Sequence, residues 1–197
     1  MIKKAMEYAR SIFEGDASGH DFDHTLRVYH MATRLAEEEG ADLQTVQLAA
    51  LLHDVDDRKL SPETYAGKLR AVNFLKENGV ENGEIQEIVD IISRISFSAQ
   101  LPPPSSIEGK CVQDADRLDA MGAIGIARTF AFGGSRGRRL HDPEGKDADA
   151  SVQHFYDKLL RLKDTMHTPT GRRLAEQRDQ YMRTFLQQFY EEWDGVR

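Results

Sequence analysis

The chain has 197 residues, of which 40% are apolar and 30% charged, and its formal net charge is −7. This composition is typical of a globular protein that can bury one core, and it excludes an intrinsically disordered chain. The negative charge argues against long nucleic acids as partners, because their binding depends on neutralising phosphates. No apolar run is long enough for a membrane span, the N-terminus lacks the apolar segment of a signal peptide, and the single cysteine, Cys111, excludes an internal disulfide. We therefore expect a cytoplasmic protein with no membrane partner.

Helical hydrophobic periodicity runs along almost the whole sequence. Helices are expected, in chain order, from the N-terminus to Gly15 and over about residues 20–39, 43–54, 62–78, 82–93, 106–132, 148–166 and 170–193. Gly40 follows the second helix as a C-cap, Asp42 precedes the third as an N-cap, and three consecutive prolines at 102–104 require a loop. The least regular segment is 133–147. The sequence predicts an all-α protein with a single domain over residues 1–197.

Three His-Asp dipeptides occur, and their surroundings separate them. His53-Asp54 closes the most apolar helix, where two titratable groups are costly unless they are paired or bind a cation. His141-Asp142 lies in a glycine-rich segment, where solvent can satisfy it. In His20-Asp21 the carboxylate is placed to interact with the amides at the start of a helix. His53-Asp54 is therefore the pair that indicates a functional site.

Two further polar residues on helices complete the candidate ligand set. His24 lies one turn inside its helix, and Asp116 lies on the apolar face of its own helix. Together with His53 and Asp54 they supply two imidazoles and two carboxylates, a ligand set without thiolates that suits a divalent ion. Mn²⁺ or Mg²⁺ is preferred, with Fe²⁺, Co²⁺, Ni²⁺ or Zn²⁺ as alternatives. A buried structural network without metal is the interpretation that residue types and spacing leave open.

These segments resemble the H…HD…D signature of the HD superfamily of metal-dependent phosphohydrolases. His24 is followed by Thr-Leu-Arg-Val, His53-Asp54 is preceded by Leu-Leu, and Asp116 lies in Asp-Ala-Asp-Arg-Leu-Asp-Ala. The resemblance is closest to small bacterial HD hydrolases. It implies an all-α fold, a metal held by the four residues named above, and cleavage of phosphate esters or anhydrides. It also implies a metal-binding core at about 18–130, on which we expect the C-terminal helices at about 148–193 to pack.

The residues after the HD pair distinguish subfamilies. Cyclic-di-nucleotide phosphodiesterases of this superfamily carry Gly-Tyr-Pro after the pair, whereas this chain continues with Val-Asp-Asp-Arg. Alarmone hydrolases have an acidic pair that begins four residues after the HD histidine. Here Asp57 takes the first place but Arg58 takes the second, so the resemblance does not extend to an alarmone activity.

Several side chains near this signature are candidates for chemistry beyond metal binding. Asp54 is a catalytic candidate as well as a ligand. Asp57 is the candidate general base, since it shares a helical face with His53 if the helix continues that far; a solvated carboxylate is the alternative. The candidate substrate-binding residues are cationic or imidazole side chains that suit a phosphate: Arg27, His20, Arg58, Lys68 and Arg136. Arg136 lies in the glycine-rich segment that resembles a mobile lid, with a solvated basic loop as the alternative. For Arg27 the alternative is a surface salt bridge, and for His20 it is a histidine of the helix-capping region.

We therefore expect a hydrolase in which metal-activated water cleaves a phosphoanhydride or phosphoester of a small metabolite. A nucleotide is preferred, which makes the enzyme a nucleoside triphosphate pyrophosphohydrolase or phosphatase. The alternatives are a phosphodiesterase acting on cyclic or short oligonucleotides, and a non-catalytic metal-bound nucleotide sensor. An aromatic stripe at 185–193 has helical spacing and is expected to form core or homodimer contacts.

Overall fold

The computed structural model describes residues 1–13, 21–58, 61–95 and 102–196, and in these ranges it contains helices but no strand. The all-α prediction is confirmed. The helices are, in chain order, α1 (Ile2–Ile12), α2 (Phe22–Glu39), α3 (Leu43–Leu52), α4 (Pro62–Tyr65), α5 (Leu69–Glu77), α6 (Asn82–Ile95), α7 (Ile107–Asp119), α8 (Gly122–Ser135), α9 (Gln153–Asp157), a 3-10 helix (Leu159–Thr165) and α10 (Pro169–Trp193). Within the described ranges, no helix has the length and apolar character that crossing a membrane requires.

The chain forms two compact units, Met1–Asp116 and Arg117–Arg197, and each is described here by itself. The expectations of a single domain and of C-terminal helices that pack on the core stay predictions. Helix α3 is the centre of the first unit and contacts α1, α2 and α6. Its apolar residues are buried on every face, which is typical of a helix enclosed by others. The residue that follows α3 is therefore held by the best-packed part of the unit.

Two predicted caps fix the ends of the helices that carry the site. The Asp42 carboxylate accepts a hydrogen bond from the Thr45 amide at 2.8 Å and so begins α3. Gly40 adopts a left-handed conformation with φ of 71° and ends α2. Both cap predictions are confirmed.

Several predicted helices are shorter or divided. Helix α3 ends at Leu52, so the predicted continuation to residue 54 is wrong. The helix expected over 62–78 is divided into α4 and α5, because Lys68 adopts a left-handed conformation with φ of 49°. The helix expected over 106–132 is divided into α7 and α8, because the backbone turns at Gly122 with φ of 68°.

The second unit is built around α10, which contacts α8 and the 3-10 helix. The helix expected over 148–166 is instead the short α9 followed by the 3-10 helix. The ring of Phe130 on α8 packs against the rings of Phe155, Phe185 and Phe189. The distances between ring centroids are 6.0, 5.9 and 6.1 Å respectively. Phe185 and Phe189 are half-buried in these contacts, whereas Trp193 at the end of the stripe is 44% exposed. A homodimer contact through the stripe stays a prediction.

Candidate metal centre

Four predicted ligands are brought together in the first unit from three helices. His24 lies in the first turn of α2, His53 closes α3, Asp54 follows it in a turn, and Asp116 lies on α7. The start of α2 is fixed at the ligand itself, because the Asp21 carboxylate accepts a hydrogen bond from the His24 amide at 2.7 Å. The local sequence signals that define the helix ends therefore also position the site.

The ligand atoms face one another at short range. His53 Nε2 lies 3.3 Å from His24 Nε2 and 3.2 Å from Asp54 Oδ2. His24 Nε2 lies 3.6 Å from Asp54 Oδ2 and 3.4 Å from Asp116 Oδ1. Both imidazoles are buried, while the Asp54 and Asp116 side chains are 17% and 27% exposed. Solvent therefore reaches the cluster from the side of the carboxylates.

A backbone contact sets the orientation of His53. Its Nδ1 lies 2.8 Å from the Ala50 carbonyl oxygen, which accepts a hydrogen bond from a protonated Nδ1. In the neutral ring this assignment leaves the lone pair on Nε2, the atom that faces His24 and Asp54. Such an outer contact is the usual way in which a protein fixes the tautomer of a metal-binding histidine.

The charges of the cluster stabilise one another. Burial lowers the pKa of His53, but the charge and hydrogen bond of Asp54 outweigh it and raise the pKa overall. Burial acts to raise the pKa of Asp116, but the hydrogen bond and charge of His24 lower it overall. The same carboxylates and imidazoles can bind a metal cation, which then takes the place of the protons.

The residues fit a shared divalent ion. Ligand atoms bound at about 2.1 Å in neighbouring octahedral positions are roughly 3.0 Å apart, close to the 3.2–3.6 Å separations among His24, His53 and Asp54 and to the 3.4 Å between His24 and Asp116. His24, His53 and Asp54 each offer one ligand atom, and these atoms lie within 4.8 Å of one another. Nitrogen and carboxylate oxygen donors without thiolate suit Mn²⁺, Mg²⁺, Fe²⁺ or Zn²⁺. His24, His53 and Asp54 thus form a cluster that can hold a metal by geometry and chemistry, and the role of Asp116 as the fourth ligand stays a prediction.

The structure removes the argument by which Asp57 was placed beside His53. Because α3 ends at Leu52, the two residues do not share a helical face. Asp57 instead belongs to the turn that carries Asp54, and its amide donates a hydrogen bond to the Asp54 carbonyl oxygen at 2.9 Å. It is half-buried and stays a candidate base, while Arg58 beside it is exposed.

The candidate substrate-binding residues have different settings. Arg27 is half-buried on α2, three residues after His24, and Lys68 is buried in the same unit. Arg136 caps the C-terminus of α8 in the second unit, where its guanidinium lies 5.5 Å from the centre of the Phe132 ring. His20 lies outside the described residues. The role of each in substrate binding stays a prediction.

Sequence reasoning missed the role of Asp56. Its carboxylate is completely buried and accepts hydrogen bonds from the amides of Arg70 and Ala71 at 3.1 and 3.0 Å. It therefore caps α5 from a distant point in the chain. The sequence shows carboxylates at 54, 56 and 57 but does not distinguish their roles. Only the fold shows that the carboxylate of Asp56 caps α5.

Comparison with known proteins agrees with this geometry. The family model described as HD domain matches residues 21–121. YpgQ of Bacillus subtilis is 42% identical over 192 residues, which cover 96% of this chain and 92% of YpgQ. The crystal structure of an HD-superfamily hydrolase from Bacillus thuringiensis has a TM-score of 0.84 and 47% identity, over 98% of this chain and 96% of that one. The crystal structure of Bacillus subtilis YpgQ in complex with ADP has a TM-score of 0.83 and 37% identity, over 100% of both chains.

The matched residues of the family model include all four predicted ligands, and the similarity to the two bacterial proteins extends over nearly the whole chain. The chain belongs to the HD domain family.

Proposed function

We propose that this protein is a metal-dependent phosphohydrolase that cleaves a phosphoanhydride or phosphoester of a small nucleotide. The observation that carries the proposal is the convergence of His24, His53, Asp54 and Asp116, whose ligand atoms lie 3.2–3.6 Å from their neighbours. Hydrolase is the description of the related protein from Bacillus thuringiensis. A nucleotide is favoured because the related YpgQ was crystallised with ADP.

The four ligands would hold a divalent ion, with Mn²⁺ or Mg²⁺ preferred for a phosphate substrate. Such an ion supplies a Lewis acid that acidifies water and polarises a phosphoryl oxygen. Asp54 and Asp116 balance two positive charges, so that an anionic phosphate is not required to neutralise the centre by itself. His53 contributes a neutral Nε2 donor because its Nδ1 is engaged by Ala50.

Asp57 is the proposed general base. Its backbone is joined to that of Asp54 by a hydrogen bond, so its carboxylate belongs to the same turn as a ligand. A carboxylate there accepts the proton that the attacking water loses. Arg27 is the proposed phosphate-binding guanidinium, because α2 places it one turn after His24 and because a guanidinium can donate two parallel hydrogen bonds to a phosphate. Arg58, His20 and Arg136 are further candidates for contact with the substrate.

The test is a panel assay with product analysis. The purified protein is incubated with Mn²⁺, Mg²⁺, Co²⁺ or Ni²⁺ and with nucleoside triphosphates, ADP and bis(p-nitrophenyl) phosphate. Release of pyrophosphate identifies a pyrophosphohydrolase and release of orthophosphate a phosphatase. Cleavage of the diester alone favours the phosphodiesterase alternative, and bound metal without any turnover favours the nucleotide sensor.

A pair of variants tests the base within the same assay. Asp57→Asn is expected to lower kcat by about 10²–10⁴-fold, the contribution typical of a general base, with metal content unchanged. Asp23→Asn is the control, because it removes an exposed carboxylate from α2, the helix of His24. Equal kcat values for the two variants would remove Asp57 from the mechanism and leave the metal centre in place.

The cytoplasmic location and a homodimer stay predictions.

A further inference from the structure

Lys68 has an unusual backbone conformation. Among the described residues it is the one non-glycine residue with a positive φ, at 49°. In this region the Cβ atom of an L-residue approaches the following carbonyl oxygen, so a lysine there costs conformational free energy that a glycine does not. The preceding residue is Gly67, which could adopt the conformation without that cost. Strain of this kind persists where the surrounding structure demands it, and it is concentrated at functional sites.

The Lys68 side chain is also unusual, because it is largely buried although it carries a charge. Lys68 is only 8% exposed. Its Nζ atom lies 4.2 Å from the centre of the Tyr65 ring, and within the described ranges it forms no hydrogen bond or ion pair with another side chain. An aromatic face stabilises a cation but accepts few of the three N–H donors of an ammonium group. The Nζ atom is not among the fully buried polar atoms that lack a partner, so solvent reaches it, and an ammonium with unused donors at such a position is suited to bind an anion.

The fold holds Lys68 beside the segment that follows the metal ligands. Asp56, two residues after Asp54, binds the amides of Arg70 and Ala71 through its carboxylate. These amides belong to the first turn of α5, which begins directly after Lys68. Because Asp56 is completely buried, this attachment is part of the core and not a mobile surface contact.

The electrostatic environment of Lys68 agrees with this placement. Burial lowers the pKa of Lys68, and the negative charges of Asp56, Asp54 and Asp57 act in the opposite direction. One of these carboxylates is a predicted metal ligand and another is the proposed base. The Asp56 carboxylate is already engaged by two backbone amides, so it does not use the ammonium donors.

We propose that Lys68 binds a phosphoryl group of the substrate next to the one that the four-ligand centre holds. The proposal rests on the proposed function, and it gives the site two separate cationic positions. A substrate with two adjacent phosphoryl groups occupies both positions, whereas a monoester or orthophosphate occupies only the metal. Lys68 therefore makes the site selective for condensed phosphates, and Tyr65 and the left-handed backbone hold its ammonium ready for the ligand.

The variants that test this keep the backbone conformation and remove the charge. Lys68→Gly removes the ammonium and relieves the strain, and Lys68→Asn is a second variant, since asparagine tolerates the left-handed region. Lys76→Ala is the control, because it removes an exposed lysine from α5, the helix that begins directly after Lys68. The probe is inorganic imidodiphosphate, a pyrophosphate analogue whose bridging nitrogen resists hydrolysis. Its binding to the Mn²⁺-loaded proteins is measured by calorimetry, beside orthophosphate binding, metal content and Tm.

We expect both Lys68 variants to bind imidodiphosphate about 10- to 100-fold more weakly, the loss typical of a charge-assisted hydrogen bond. Orthophosphate binding and metal content should be unchanged, and the Tm of Lys68→Gly should be equal to or higher than that of the wild type. Lys76→Ala should bind both anions as the wild type does. A lower Tm in Lys68→Gly, or an equal weakening of both anions, would indicate a structural role and overturn the proposal.

Two further outcomes separate this proposal from the proposed function. If the wild type hydrolyses nucleotides while Lys68→Gly binds imidodiphosphate normally, the proposal for Lys68 is wrong and the hydrolase stands. If imidodiphosphate binding depends on Lys68 but no substrate is hydrolysed, the proposed activity is wrong and the phosphate-binding role of Lys68 stands. Failure of the wild type to bind imidodiphosphate overturns the proposal for Lys68 directly.

Discussion

Replacement of Asp56 by alanine tests how the segment after the metal ligands is attached to the fold. The substitution removes the acceptor of two backbone hydrogen bonds, from Arg70 and Ala71, at a position that is completely buried. Water cannot easily replace the lost carboxylate there. Asp56→Ala is therefore expected to destabilise the first turn of α5 and the protein as a whole.

The size of the effect follows from these contacts. Loss of a helix-capping side chain costs roughly 0.5–2 kcal/mol, and a buried amide left without an acceptor costs roughly 1–3 kcal/mol. Because the two terms overlap, we expect the free energy of unfolding to fall by roughly 2–4 kcal/mol. In a chain of this length each kcal/mol lowers Tm by roughly 2–4 °C. The expected decrease of Tm is thus about 5–15 °C.

The assay is urea and thermal unfolding followed by circular dichroism, with EDTA present so that metal binding does not contribute. Asp56→Asn should lose less than Asp56→Ala, because an amide oxygen still accepts a hydrogen bond. Glu63→Ala is the matched control: Glu63 also contacts Arg70, at 3.5 Å, but through an ion pair in which its own side chain is 62% exposed. Such a pair contributes about 0–1 kcal/mol. Equal losses for Asp56→Ala and Glu63→Ala would refute the capping role.

Three further predictions concern single side chains. Asp42→Ala removes the N-cap of α3 and should lower the free energy of unfolding by about 1 kcal/mol; an unchanged urea midpoint would contradict this. Burial raises the pKa of the Cys111 thiol to about 12, so a disulfide reagent at about pH 8 should label it only after unfolding. Rapid labelling of the native protein would contradict this prediction. The backbone amides of Asp147 and Lys146 lower the pKa of Asp142, so its stabilisation is present above the ordinary aspartate pKa and is lost as pH falls through the lowered value. Tm should therefore fall less below about pH 4 in Asp142→Asn than in the wild type, and identical pH profiles would count against the role.

Local signals in the sequence predict much of this fold. Asp42 and Gly40 were identifiable as caps because cap preferences depend on a few neighbouring residues. The ligands were identifiable for a different reason: His53 and Asp54 are titratable groups at the end of a helix whose surroundings are apolar, and such groups require a partner. His24 and Asp116 complete a ligand set of two imidazoles and two carboxylates, and the resemblance to the HD signature joins all four residues in one site.

The remaining features depend on contacts between distant residues. Hydrophobic periodicity runs without interruption through residues 106–132, so it does not reveal the turn at Gly122 that divides α7 from α8. The sequence around Lys68 does not predict a left-handed backbone at the lysine, because Gly67, directly before it, would adopt that conformation at lower cost. The role of Asp56 depends on amides fourteen and fifteen residues away. The glycine-rich surroundings of Asp142 predict a carboxylate in contact with solvent. The residue is only 8% exposed, and its carboxylate accepts hydrogen bonds from backbone amides of its own loop.

The proposed function requires that four side chains hold one divalent ion on which hydrolysis depends. The most direct measurement compares bound Mn²⁺ by mass spectrometry, after dialysis, in the wild type, His24→Ala and His30→Ala. The two histidines lie on the same helix, α2, but His24 is buried in the cluster and His30 is exposed. We expect the wild type and His30→Ala to retain Mn²⁺ and His24→Ala to lose it together with nucleotide hydrolysis. Retention of Mn²⁺ by His24→Ala, or its absence from the wild type, would show that these four side chains do not hold the metal.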